Sequence, residues 1–152
     1  MRKHILNNQK QSKLNTMKLE LKHIAPYLPY RLNIITGIVR VNLTAVALDS
    51  THVFTTTSLG SRERQMKQIN EIKPILRPLS DLTKEIEHNG LKFVPSIILK
   101  ECYGHSVQIA ESKYLITPIQ LESYTLVSQL FEWHFDIFGL IEKGLAIDFN
   151  TI

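Results

Sequence analysis

The stretch Leu130–Ile141, LFEWHFDIFGLI, sets His134 between two carboxylates, Glu132 and Asp136, inside a run of large apolar residues. It is either a reactive constellation or the spine of a core, and the choice decides the fold. Turned as a helix at roughly 100° per residue, it separates into two faces. Leu126, Val127, Leu130, Phe131, Trp133, His134, Ile137, Phe138, Leu140 and Ile141 fall on one broad arc, while Ser128, Gln129, Glu132, Asp136, Gly139 and Lys143 fall opposite. Glu132 and Asp136, at i and i+4, are then neighbours on the polar side, and His134 points to the middle of the apolar side. While the helix is regular, the three cannot converge on one ion or substrate atom. The expectation is a neutral core histidine bonded through one ring nitrogen, with Glu132 and Asp136 on a solvated face.

Signals on either side extend this helix. Thr117-Pro118-Ile119-Gln120 offers a hydroxyl cap, a proline at the first helical position and a glutamine at the third, while Ile116 and Leu121 sit at the positions of a hydrophobic staple. Lys143 and then Gly144 make a suitable stop. The pattern predicts one long amphipathic helix over residues 118–143. An apolar arc this wide requires burial against more than one neighbour, either sheet elements of the same chain or a second copy in a homodimer through the 118–143 helix.

Upstream, ELKHIAPYLPYRL reads as a turn-rich lead-in, because Pro26 and Pro29 prevent a long helix. In GIVRVNLTAVAL the period becomes two, with Val39, Val41 and Leu43 alternating with Arg40, Asn42 and Thr44. Asp49-Ser50 supplies a turn and HVFTTTS a further strand, so residues 32–58 predict a meander of about three antiparallel strands. LGSRERQMKQINE reads as a polar connector, and IKPILRPL as an extended or turn-like segment. KEIEHNGLKFV reads in two ways. As a helix, Leu79, Leu82 and Ile86 sit at spacings of three and four, with Ser80 as a cap and Gly90 as a stop. As a hairpin, the preferred reading, Asn89-Gly90 is a type I′ turn signal. The hairpin it closes sets Ile86 opposite Phe93 and Glu87 opposite Lys92, preceded by one helical turn around LSDL. PSIILKECYG predicts a short helix closed by Gly104, VQIAESKYLI one or two strands, and LAIDFNTI a final strand or extended segment.

At 152 residues, with 43% apolar and 21% charged residues, the chain fits a single globular domain. No apolar run approaches the roughly 20 residues that span a bilayer, and the first residues lack the apolar segment of a secretory signal. A lone cysteine, Cys102, excludes an internal disulfide and fits a reduced, cytoplasmic setting. The net charge of +4 resides in residues 1–16, which carry Arg2, Lys3, Lys10 and Lys13 and no acid. That segment reads as a disordered basic tail, with a single α+β domain over 17–152 and Met17 as a second plausible start. Within the domain, residues 17–77 hold nine basic and four acidic residues and residues 78–152 hold five and ten. Opposite charges on packed halves need no ligand.

Known chemistry is sparse. Neither phosphate-cradling glycine loop is present, nor the Gly-x-Ser-x-Gly elbow of hydrolases. Six histidines show no ligand spacing, Cys102 and His105 form only half of a zinc site, and Asn42-Leu43-Thr44 is a chance glycosylation match within a strand. The reading is therefore no enzyme, no cofactor and no metal. Nucleic-acid binding has one feature behind it, the basic run Arg62, Arg64, Lys67, Lys73 and Arg77, which Glu63 and Glu71 interrupt.

Two blocks, Ile72–Pro95 and LFEWHFDIFGLIEKGLAID (Leu130–Asp148), resemble a group of short uncharacterised proteins carried by phages and prophages of Bacteroidetes bacteria. The opening MKLELKHIAPYLPY is similar to the start of those proteins, which favours Met17 as a natural beginning. The resemblance covers somewhat under half the chain, and implies a mobile-element origin and a cytoplasmic site in the host cell without implying a mechanism. The expected fold is α+β, an antiparallel β-meander plus hairpin packed on a long amphipathic C-terminal helix. The expected function is a small non-catalytic protein-interaction module of phage type. The alternative is a nucleic-acid-associated accessory protein using residues 62–77.

Overall fold

The computed structural model describes residues 17–47, 49–57, 63–103 and 124–152. They form a mixed α+β structure. A single helical turn, α1 (Leu21–Ile24), runs on into a 3-10 helix over Ala25–Tyr30. Strands β1 (Asn33–Thr36), β2 (Val39–Val46), β3 (His52–Thr56), β4 (Gln65–Gln68) and β5 (Ile72–Leu76) follow. Then come a 3-10 turn (Leu79–Thr83), β6 (Ile86–His88), β7 (Leu91–Phe93), α2 (Pro95–Tyr103), α3 (Tyr124–Glu132), β8 (Ile147–Asp148) and a last 3-10 turn (Phe149–Thr151). Six strands make one sheet in the order β4-β3-β2-β1-β5-β8, and β6-β7 stand apart as a two-stranded ribbon.

The meander forms where alternation predicts it. Val41 and Leu43 are buried on the inner face of β2, and β1, β2 and β3 pair antiparallel in sequence order. One upstream expectation needs correction and a second is narrowed. Gln65–Gln68, expected within a polar connector, is an edge strand paired with β3. Nothing in QMKQ selects extended backbone; the open edge of β3 does. Ile72–Leu76 is an inner strand, antiparallel to β1 and parallel to β8. Pro74 is tolerated because β8 covers only Ile75 and Leu76, leaving that side of the strand unpaired at the proline.

The hairpin has the expected register: Ile86 faces Phe93 and Glu87 faces Lys92. Asn89 and Gly90 both take positive φ, 51° and 79°, as a type I′ turn requires.

Apolar side chains gather in two clusters. One lies under the sheet, where Ile34, Val41, Leu43 and Val53 meet Ile24 and Tyr27 of the lead-in. The other joins Leu126 and Leu130 of α3 to Leu99 of α2, Leu82 of the 3-10 turn, Ile86 of the hairpin and Phe135. Phe131 packs against both.

The long C-terminal helix does not form as expected: α3 ends at Glu132. His134 takes a left-handed φ of 62°, its N–H donates to the Phe131 carbonyl at 3.0 Å, and the Phe135 N–H reaches back to the Leu130 carbonyl at 2.9 Å. Those are the two bonds of a Schellman stop, here with histidine in the position glycine usually fills. The apolar partner contact of that motif is present, since Phe135 and Leu130 are both fully buried in the second cluster. A single turn then closes at Gly144 in the same manner, with Gly144 N–H on Ile141 O (3.0 Å) and Leu145 N–H on Leu140 O (2.9 Å). Gly144 is thus a stop, but of a short turn. The basic tail (1–16), the connector residues 58–62, the helix end at Gly104, the strands in VQIAESKYLI and the cap at Thr117–Gln120 lie outside the described residues.

Candidate functional site

Ending α3 at His134 sends the chain alongside the end of β5. Arg77 N–H donates to the His134 carbonyl at 2.8 Å, and Asp136 N–H to the Arg77 carbonyl at 2.8 Å, an isolated parallel bridge. This junction, the hairpin turn, the start of the sheet and the C-terminal 3-10 turn surround an open cleft of about 630 Å³. Tyr30 and Arg31 form one rim and Asn33 and Asn42, partners across β1 and β2, form the floor. Glu87, His88 and Asn89 come from the hairpin, Glu132 and His134 from the end of α3, Arg77 from β5, and Phe149 from the C-terminal turn.

His134 is fixed in this wall. Its Nε2 lies 2.7 Å from the Tyr30 carbonyl, and its ring meets the His88 ring edge-on at 5.5 Å. With the carbonyl as acceptor, Nε2 carries a proton. Burial lowers its pKa to about 4, and the neighbouring Arg77 acts the same way. The His88 pKa is lowered too, by burial first and then by Arg77. Both imidazoles are therefore neutral at pH 7.

Arg77 is 6% exposed. Its Nη2 donates to the Glu87 carbonyl at 2.7 Å, its guanidinium carbon lies 4.0 Å over the Phe149 ring, and its Nε is buried without a hydrogen-bond partner. The nearest acidic influence is Asp81, whose two oxygens are already taken at 2.7 Å by Lys84 Nζ and by Asn150 Nδ2. Burial lowers the Arg77 pKa.

Two carboxylates placed by helical periodicity on a solvated face are elsewhere. Asp136 is 5% exposed, and its two oxygens each accept at 2.8 Å, from Leu140 N–H and Ile141 N–H, so that it holds the turn closed by Gly144. Burial raises its pKa and those amide bonds lower it, with burial the stronger. Glu132 is half-buried, accepts from Gln129 Nε2 at 3.0 Å, and does share a cleft with His134. A regular helix would keep them apart; the stop after Glu132 does not. The single ring-nitrogen bond expected for His134 is present, to the Tyr30 carbonyl, but the residue does not sit inside a helix.

Lys67, Lys73 and Arg77 of the basic run do not share one surface. Arg62 lies outside the described residues and Arg64 is exposed. Lys67 on β4 pairs opposite buried Val53, and Lys73 on β5 pairs opposite Ile35, next to buried Ile34, so the two lysines point to opposite faces. Three strands separate them, a span of about 19 Å at ordinary strand spacing. Arg77, expected beside them at the surface, is buried in the cleft wall. The apolar side of α3 that was to serve a second copy is occupied by α2, the 3-10 turn and the hairpin, with Leu126 and Leu130 fully buried.

Cys102 is free and exposed, and His105 lies outside the described residues. Among the described residues no group of three or more histidine, cysteine or acidic side chains is arranged to hold a metal ion, and no helix is long and apolar enough to cross a membrane. No motif in the sequence announces the cleft, because its walls come from six separated segments; the local signals were the Asn89-Gly90 turn and the paired asparagines of the first two strands. Comparison with protein-family models, with curated proteins and with solved structures returns no match.

Proposed function

We propose that this chain is a small, non-catalytic protein-interaction module of phage type, which recognises its partner through the cleft between the hairpin turn and the end of α3. One observation carries the reading: the cleft is polar and open, and of its titratable groups His134 and Glu132 are already bonded within the fold. His134 spends Nε2 on the Tyr30 carbonyl and stays neutral, and Glu132 is held by Gln129. Among the described residues no serine, threonine or cysteine lines the cleft, so no such side-chain nucleophile stands there for an imidazole to activate. A volume of about 630 Å³ is in the range that takes a short peptide segment or a small organic molecule. The nucleic-acid alternative draws less support, since Lys67 and Lys73 lie on opposite faces and Arg77 is buried.

The test is differential capture from host-cell extract. The full chain is compared with Asn42→Trp, which fills the floor of the cleft, and with Met66→Glu on the exposed edge strand. A partner held by the wild type and by Met66→Glu but lost by Asn42→Trp supports the reading. A partner that survives Asn42→Trp and is lost with Met66→Glu moves recognition to the sheet edge and overturns it.

A further inference from the structure

Arg77 poses a question that the fold alone does not answer. A buried guanidinium is ordinarily paired with an anion, because desolvation costs several kcal/mol and an unpaired nitrogen adds to it. Arg77 has a carbonyl, an aromatic face and a buried, unpartnered Nε, and none of the ion pairs among the described residues includes it. Asp81, the acid nearest in effect, is spent on Lys84 and Asn150. Yet Arg77 lines an open cleft, so the missing anion has a route to it.

We propose that Arg77 is the anchor for a carboxylate carried by the ligand of this cleft, with the side-chain amides of Asn33 and Asn42 as accompanying hydrogen-bond partners. This rests on the reading of the cleft as the recognition surface. The surrounding charge selects a carboxylate over a phosphate. Arg31 and Arg77 are offset by Glu87 and Glu132, so a dianion brings excess negative charge beside two acids. A single carboxylate set on Arg77 instead matches one buried cation that none of the ion pairs among the described residues includes. The planar guanidinium matches a carboxylate in a forked arrangement that an ammonium cannot reproduce. The carboxylate can belong to a protein segment or to a free small acid.

Amide and Arg Nε–H spectra of the full chain, titrated with acetyl-triglycine, its C-terminal amide, propionate and inorganic phosphate, test the assignment. The acid peptide is expected to move the Arg77 Nε–H and the Asn33 and Asn42 side-chain signals, and to bind at least tenfold more tightly than the amide. Tighter binding of the peptide than of propionate assigns the ligand to a protein segment, and the reverse to a free small acid. Arg77→Met should lose at least tenfold in affinity while the melting temperature of the free chain holds or rises. If that variant does not fold, Arg77→Lys, which keeps charge without the fork, should lose severalfold. Equal binding of acid and amide, movement of these signals by phosphate alone, or no movement by any probe overturns the anchor. The cleft reading survives each of those results and falls only on the capture experiment.

Discussion

Asp136 and Arg77 are both buried charges, joined by a backbone hydrogen bond, and they are treated in opposite ways. Asp136 has each oxygen on a backbone amide and closes a turn with them. Arg77 has one buried nitrogen without a hydrogen-bond partner and faces a space that nothing among the described residues fills. The first is a structural ion, satisfied inside the fold. The second is satisfied only in part, and the difference between them separates what the fold needs from what a ligand needs.

That contrast can be broken most severely at Asp136. Asp136→Ala strands the amides of Leu140 and Ile141, and at about 2 kcal/mol for each orphaned donor the loss should be about 4 kcal/mol in urea unfolding. A loss under about 1 kcal/mol would show that the turn satisfies itself. Next comes acid. The His134 pKa is near 4 in the fold and 6.5 in the free side chain, so the unfolded chain binds the proton first as pH falls. Its contribution is complete above pH 6.5 and lost between there and about 4, on the order of 3 kcal/mol. His23 and His88, also lowered by burial, act with the same sign. Unfolding free energy measured from pH 7.5 to 4 should therefore fall less steeply in His134→Gln than in the wild type.

Tyr27→Phe should cost about 2 kcal/mol, because the Tyr27 hydroxyl donates at 2.6 Å to the buried Phe135 carbonyl beside the helix stop. Thermal unfolding reads it, and an unchanged midpoint would mean that another donor takes that carbonyl. The smallest effect sharpens the comparison instead of breaking it. Arg77→Met gives up one hydrogen bond and a stack on Phe149 but removes a poorly compensated charge, so the free chain should stay within about 1 kcal/mol of the wild type. A larger loss would place Arg77 with Asp136 as a structural ion.

Much of the fold was legible in the residues where local chemistry and tertiary fit agree. Asn89-Gly90 fixed the hairpin register, alternation located β2, and Gly144 marked a stop. The end of α3 was not legible, because the apolar arc and the polar face of the segment both run on past Glu132 to Lys143. The spacing therefore marks no stop there, and the stop residue is a histidine. β4 was not legible either, since an edge strand takes its conformation from the neighbour it pairs with. The cleft was legible only as ingredients. His134 was recognised as neutral, but its meeting with His88, Arg77 and Glu132 depends on the parallel bridge at Arg77 and Phe135, which no spacing encodes.

Arg31, Asn89 and His134 all hold φ between 51° and 62°, and all three stand around the cleft. Left-handed backbone disfavours other L residues by about 1 kcal/mol and persists only where the surroundings impose it. The mouth is therefore shaped by main chain instead of by rotamers, and an entering molecule finds it already set. Association should then rise linearly with ligand concentration in a single phase, and exchange of the side chains at these positions can retune what is recognised without moving the frame that presents them.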